Sequence, residues 1–332
     1  MVLSWLQDAV EPDVSAARGA FELTRAGDVM LDEDRQITLW ALYELHYGGF
    51  DDVDDLWEWS AACLEVRSWL EADLESHLVD ATQVWVDSVV AGSDPVPERL
   101  FALVDAVESP PLSGYLHRHA TRGQMLEFLT HRSIYTLKEA DPHSWAIPRI
   151  SGPAKVALVE LQYDEYGAGR PARQHAAMFA STLDACGLDS SYGTYIDVVP
   201  AVTLAGNNTM SMFGLHRRLR GATVGHLAAF EATSSLPARR VAMGLRRLGF
   251  QDPAPAYFEE HIEADAVHEQ LAMRNICGRL VKDHPDILES VALGTAACLY
   301  VDNRAAQFLL DAWKQGGSAL LPIDALTEVV GA

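Results

Sequence analysis

The stretch "EEHIEADAVHE", residues 259–269, places His261, Asp265 and His268 at i, i+4 and i+7. An α-helix advances about 100° per residue, so the three offsets are roughly 0°, 40° and −20°. All three side chains then fall on one stripe. Two imidazoles and a carboxylate on one stripe either form a polar surface or converge on a metal ion. The rest of the chain decides between them.

Outward from this stretch the chain reads as almost entirely helical. Ala, Leu, Glu and Arg dominate, and alternating β-branched runs are scarce. Helices are expected over 32–47, 53–78, 121–140, 154–166, 193–219, 223–233, 238–248, 255–282 and 285–314, with a further one starting near Arg170 and carrying His175. "DPHSWAIPRISGP" (141–153), with its three prolines, reads as a loop. "SPPLSG" (109–114) is the clearest break, which divides the chain into an N-terminal helical domain, 1–112, and a second domain, 113–332.

The 332 residues are 49% hydrophobic, enough to bury a sizeable core. Lys plus Arg is 25 and Asp plus Glu is 47, a formal charge of −22. That balance argues against nucleic acid or an anionic membrane as a partner and agrees weakly with a cationic substrate. The N-terminus "MVLSWLQDAVEPDV" lacks a basic segment followed by an apolar run, so no signal peptide is read, and no apolar stretch is long enough to span a membrane. Cys63, Cys186, Cys277 and Cys298 form no CxxC pair. Buried free thiols in a cytoplasmic location are expected.

Other metal-competent residues recur on helical segments: Glu139 in "YTLKEADPH", Glu165 and His175 in "YDEYGAGRPARQH", and Glu231 in "HLAAFEATSS". With His261, Asp265 and His268 they make four carboxylates and three histidines. Singly, each is more often a surface or packing residue; together they favour a metal site. Two Fe²⁺ would balance four carboxylates, so such a cluster could be buried in a bundle. Oxygen and imidazole donors suit iron or manganese, and helix bundles build such sites from inward-facing Glu and His. Glu160 rivals Glu165 for its role. Five residues turn a helix by about 140°, so both cannot face one ion.

"GPAKVALVELQYDEYGAGRPARQH", "HLAAFE" and "HIEADAVH" resemble the heme-oxygenase-like diiron oxidases and oxygenases, the iron-containing redox enzymes, and within them the amine N-oxygenase branch. The resemblance lies in Glu-x₉-His (Glu165 to His175), the gaps of 56 from His175 to Glu231 and 30 from Glu231 to His261, and the closing His-x₃-Asp-x₂-His. It favours Glu165 over Glu160, which is then expected beside the site. Glu139, 26 residues before Glu165, resembles the additional carboxylate ligand of that branch. "DEDRQITLWALYELHYGGF" resembles the helical extension these enzymes carry. Some N-oxygenases have a C-terminal cupin domain. None is read before Ala332, and no reaction that needs one is expected.

The resemblance implies an all-α, heme-oxygenase-like helical bundle with an N-terminal helical domain that could support a homodimer. It implies two iron ions held by Glu139, Glu165, His175, Glu231, His261, Asp265 and His268, with O₂ as co-substrate and an external electron donor. The expected reaction is N-oxygenation of a small amine or amino-acid substrate, to hydroxylamine or nitro, in specialised metabolism. The same ligands would also serve desaturation, decarboxylation or C–C cleavage. A metal-free helical interaction protein is the third reading. The remaining histidines are expected as surface or packing residues.

Overall fold

The computed structural model describes residues 14–15, 19 and 27–322, the side chains of 263–266 excepted. Among the described residues every regular element is helical. The first helix, α1 (Glu33–Glu44), starts where the Asp32 side chain accepts from Arg35 N, and α2 (Ala61–Ala91) starts where Ser60 does the same for Cys63 N. α3 (Val96–Ala106) and α4 (Leu112–Arg118) follow. α5 (Arg122–Thr136) opens on a reciprocal cap between Thr121 and Gln124.

The three-proline segment is not a plain loop. It holds a short helix, α6 (Asp141–Ser144), and a 3₁₀ turn, Ile147–Arg149, because Pro142 and Pro148 occupy first-turn positions where a missing N–H costs nothing. α7 (Gly152–Glu165), α8 (His175–Cys186) and α9 (Ala201–Leu215) come next. The last of these starts later than the sequence suggests, since Pro200 stands at its N-cap. α10 (Arg220–Arg247) runs unbroken through Pro237, where two helices were expected. α11 (Ala256–Gln270) passes into a π-helical stretch, Leu271–Gly278, and then α12 (Arg279–Asp283). α13 (Leu288–Lys314) closes the bundle.

Continuity of α10 is a packing effect. Its partner α13 lies so close that a Cβ on Gly225 would sit 2.0 Å from Val291 O, and one on Gly294 would sit 2.0 Å from Ala222 O. Thr295 Oγ1 donates to Gly225 O at 3.1 Å across this contact. Tertiary burial along such a seam outweighs the local cost of one proline.

Three apolar clusters surround this pair. One joins Val86 and Leu100 to Leu158, Leu227, Ile276 and Val291. A second joins Leu39, Tyr43 and Leu74 to Phe213 and Val301. The third joins Leu116 and Leu129 to Phe179, Leu245, Tyr257 and Trp313. Residues from both sides of position 112 therefore share cores. All four cysteines are free and buried. No described helix is long and apolar enough to cross a membrane.

Candidate metal centre

Four helices and one turn deliver carboxylates and imidazoles to the bundle interior. Glu165 is the last residue of α7 and His175 the first of α8. The chain between them reverses through Gly167, Ala168 and Gly169, all at positive φ. A Cβ on Gly167 would lie 2.5 Å from Gln174 N, so only glycine lets the two strands of this turn close. The result sets His175 Nδ1 2.8 Å from Glu165 Oε2.

Glu139 stands in the turn after α5, next to Ala140 at φ 79. That left-handed residue costs roughly 1–2 kcal/mol and turns the chain into α6. Tyr257 OH donates to the Glu139 carboxylate, 2.9 and 2.7 Å from its two oxygens. α10 supplies Glu231, and α11 supplies His261 and His268.

The donor atoms form two groups, each within 4.8 Å: Glu139, Glu165, His175 and His261, and then Glu165, Glu231 and His268. All six residues are buried, and Glu165 is common to both groups. Asp265 belongs to α11, but its side chain lies outside the described residues. Glu160 is exposed and belongs to neither group, so it is not beside the site as the sequence suggested.

The imidazoles are oriented for coordination. His261 Nδ1 lies 2.8 Å from Tyr257 O, a bond that places its proton there and turns Nε2 toward Glu139 at 3.8 Å. His268 Nε2 lies 3.4 Å from Asp164 Oδ2, leaving Nδ1 3.4 Å from Glu165 and 3.5 Å from Glu231. A histidine tied at one ring nitrogen to a carbonyl or carboxylate is the usual arrangement around a bound metal.

His175 Nδ1 and His268 Nδ1 are buried and make no hydrogen bond, although carboxylate oxygens lie nearby. Donors on one first-row metal, at bond lengths of about 2.0–2.2 Å, stand ~3 Å from one another. A cation among these atoms would satisfy every one of them, and their oxygen and imidazole chemistry fits iron.

Without a cation the charges compensate incompletely. Burial raises the Glu231 carboxyl, the adjacent His268 pulls it back, and Glu165 pushes it up again. Burial opposes charge on His268, yet Glu231, Glu165 and Asp164 together raise it to about 9.

A small cavity adjoins the groups, lined beyond the carboxylates by Tyr135, His143, Gln162, Leu227, Phe230 and Ser234. Two residues that hold donors of the centre were missed by sequence reasoning: Tyr257, bonded to Glu139 and His261, and Asp164, beside His268. Tyr257 had a signal, since it lies one turn before His261 on the same stripe.

A family model described as an iron-containing redox enzyme matches residues 126–303, a span that includes every predicted ligand. Nitrosourea synthase of Streptomyces achromogenes subsp. streptozoticus is 31% identical over 150 residues, 45% of this chain. The match spans about a third of that protein's length, 32%.

Proposed function

From the premise that this chain belongs to the iron-containing redox enzyme family, and is an all-α, heme-oxygenase-like oxidoreductase, we propose that it is an O₂-dependent diiron N-oxygenase acting on the amino group of a small amino-acid-like substrate. The observation that carries this reading is the pair of overlapping buried donor groups joined through Glu165. The similarity to a nitrosourea synthase supports nitrogen as the atom oxidised.

Glu139, Glu165, His175 and His261 would hold one ion, and Glu165, Glu231 and His268 the other, with Asp265 assigned to the centre from its register on α11. Bound iron supplies redox equivalents and Lewis acidity for O₂ activation. The first oxidation balances as R–NH₂ + O₂ + 2e⁻ + 2H⁺ → R–NHOH + H₂O, the electrons coming from an external donor. Tyr257 fixes both Glu139 oxygens, and its own carbonyl fixes the tautomer of His261. Phe230, Leu227 and Tyr135 border the cavity and keep bulk water from the reacting nitrogen.

The test loads the protein with Fe²⁺ anaerobically, counts iron per chain, and mixes it with ¹⁸O₂ and a panel of amines and amino acids. Two irons and an ¹⁸O-labelled N-oxygenated product are expected. A product oxidised only at carbon, or iron content of one or less, overturns the reading.

A further inference from the structure

Between α5, α10 and α13 the core has an opening. On α13, positions 298, 302, 305 and 309 share one stripe, at i, i+4, i+7 and i+11. Cys298 and Leu309 at its ends are buried, yet Asp302 between them is exposed and Ala305 half-buried. Leu309 packs in one cluster with Leu129 of α5 and Leu245 of α10. The stripe therefore faces those helices, and Asp302 stands in a recess of the core. Burial raises its carboxyl even so, and Arg132 draws it down.

Arg132 forms the opposite wall. It lies on α5 one turn beyond Leu129, and its guanidinium carbon stands 5.7 Å from the centroid of the Phe230 ring on α10. Phe230 borders the metal cavity, with Tyr135 edge-on to it at 5.4 Å, so recess and cavity share one aromatic ring. Arg132 is half-buried and has no hydrogen bond or ion pair among the described residues. Arg67, Arg99, Arg149, Arg240 and Arg304 are half-buried too, and each has at least one. Asp302 has none either, so the charged atoms of the pair stand more than 4.0 Å apart. Burial opposes the charge on Arg132, and Tyr257, Asp302 and Glu139 outweigh it. Ions at the centre would balance its own carboxylates, which leaves Asp302 as the counter-charge of Arg132. A lone carboxylate in the gap would face Asp302, and a lone ammonium would face Arg132. A group that carries both charges meets neither penalty.

We propose that this recess holds the zwitterionic head of an amino-acid substrate, its carboxylate on Arg132 and its ammonium on Asp302. The assignment rests on the amino-acid-like substrate proposed above. A guanidinium offers a carboxylate two parallel N–H donors, and the Phe230 ring beside it restricts the fork. An ammonium kept protonated by Asp302 has no lone pair to be oxidised. The nitrogen delivered past Phe230 to the ions is then a second one, on the substrate's side chain.

Zinc-loaded protein tests this without iron or O₂, by calorimetric titration with the standard L-amino acids. The tightest binder is compared with two analogues, the amine lacking its carboxylate and the acid lacking its α-ammonium. The side-chain ¹⁵N signal of Arg132 reports where each one sits. Both analogues are expected to bind roughly ten-fold or more weakly than the amino acid, and only ligands with the carboxylate should move the Arg132 signal. Arg132→Gln should weaken the amino acid but not the amine, and Asp302→Asn the amino acid but not the acid. No binding by any amino acid, or an analogue that binds as well as its parent, overturns the assignment. Binding that leaves the Arg132 signal in place overturns it too. If the variants do not fold, the analogues on the unaltered protein still decide. An ¹⁸O-labelled N-oxygenated product from a protein that fails these titrations would leave the function standing and remove only this site.

Discussion

Glu165 is the residue on which both donor groups depend. Glu165→Ala is therefore expected to abolish binding of both ions, whereas His261→Ala and His268→Ala should each lose at least one. Glu160→Ala, at an exposed position five residues away, should keep both. Metal analysis after anaerobic loading checks the series, and two ions in Glu165→Ala would sink the bridging role. Tyr257→Phe removes the donor that holds Glu139 and should weaken iron affinity ~10–100-fold with little change in fold, as read by competition with a chelator. The glutamates and histidines were legible because their spacings are those of a recognisable family. The bond from Tyr257 to Glu139 was not, since the two lie 118 residues apart in the chain.

At the scale of elements, α1 reaches the centre indirectly. Its last residue, Glu44, is buried in an ion pair with Lys138, whose ammonium also lies 4.3 Å from the Tyr47 ring centroid. Lys138 immediately precedes Glu139, so α1 anchors the turn that carries that carboxylate. Glu44→Ala would strand a buried cation and should cost ~3–5 kcal/mol, measured by denaturant unfolding, and should lower iron occupancy as well. Pairing it with Lys138→Met should restore most of the stability. Recovery by the double variant distinguishes a stranded charge from a lost packing contact. The sequence showed that α1 is a helix but not what it holds, because 94 residues separate the two partners. It also split α10 at Pro237, since local propensity carries no record of the helix packed alongside.

The whole molecule couples folding to metal and to protons. His268 is raised to about 9 in the folded, metal-free protein, from an ordinary 6.5. A group raised on folding stabilises fully below its unfolded value and loses that contribution as pH climbs through its folded value. The metal-free protein should therefore lose stability between about pH 6.5 and 9. Glu231, also raised, works in the same direction at lower pH. Metal must displace the His268 proton, so loading near pH 7.5 should release protons and raise the melting temperature. Thermal melts across pH, with and without metal, check both; a flat profile in the metal-free protein would contradict the assignment. All-helical architecture was plain from composition and periodicity. The sharing of cores across position 112 was not, because no local pattern says which apolar faces meet.

Gly225 and Gly294 have no side chains with which to do chemistry, yet α10 and α13 touch backbone to backbone at both. A side chain at either would clash with the facing backbone and press α10, which carries Glu231, away from α13. In a saturation scan scored on activity, these two positions should be as intolerant as the ligands themselves. Read without coordinates, such a scan would credit catalysis to two residues whose contribution is the absence of an atom.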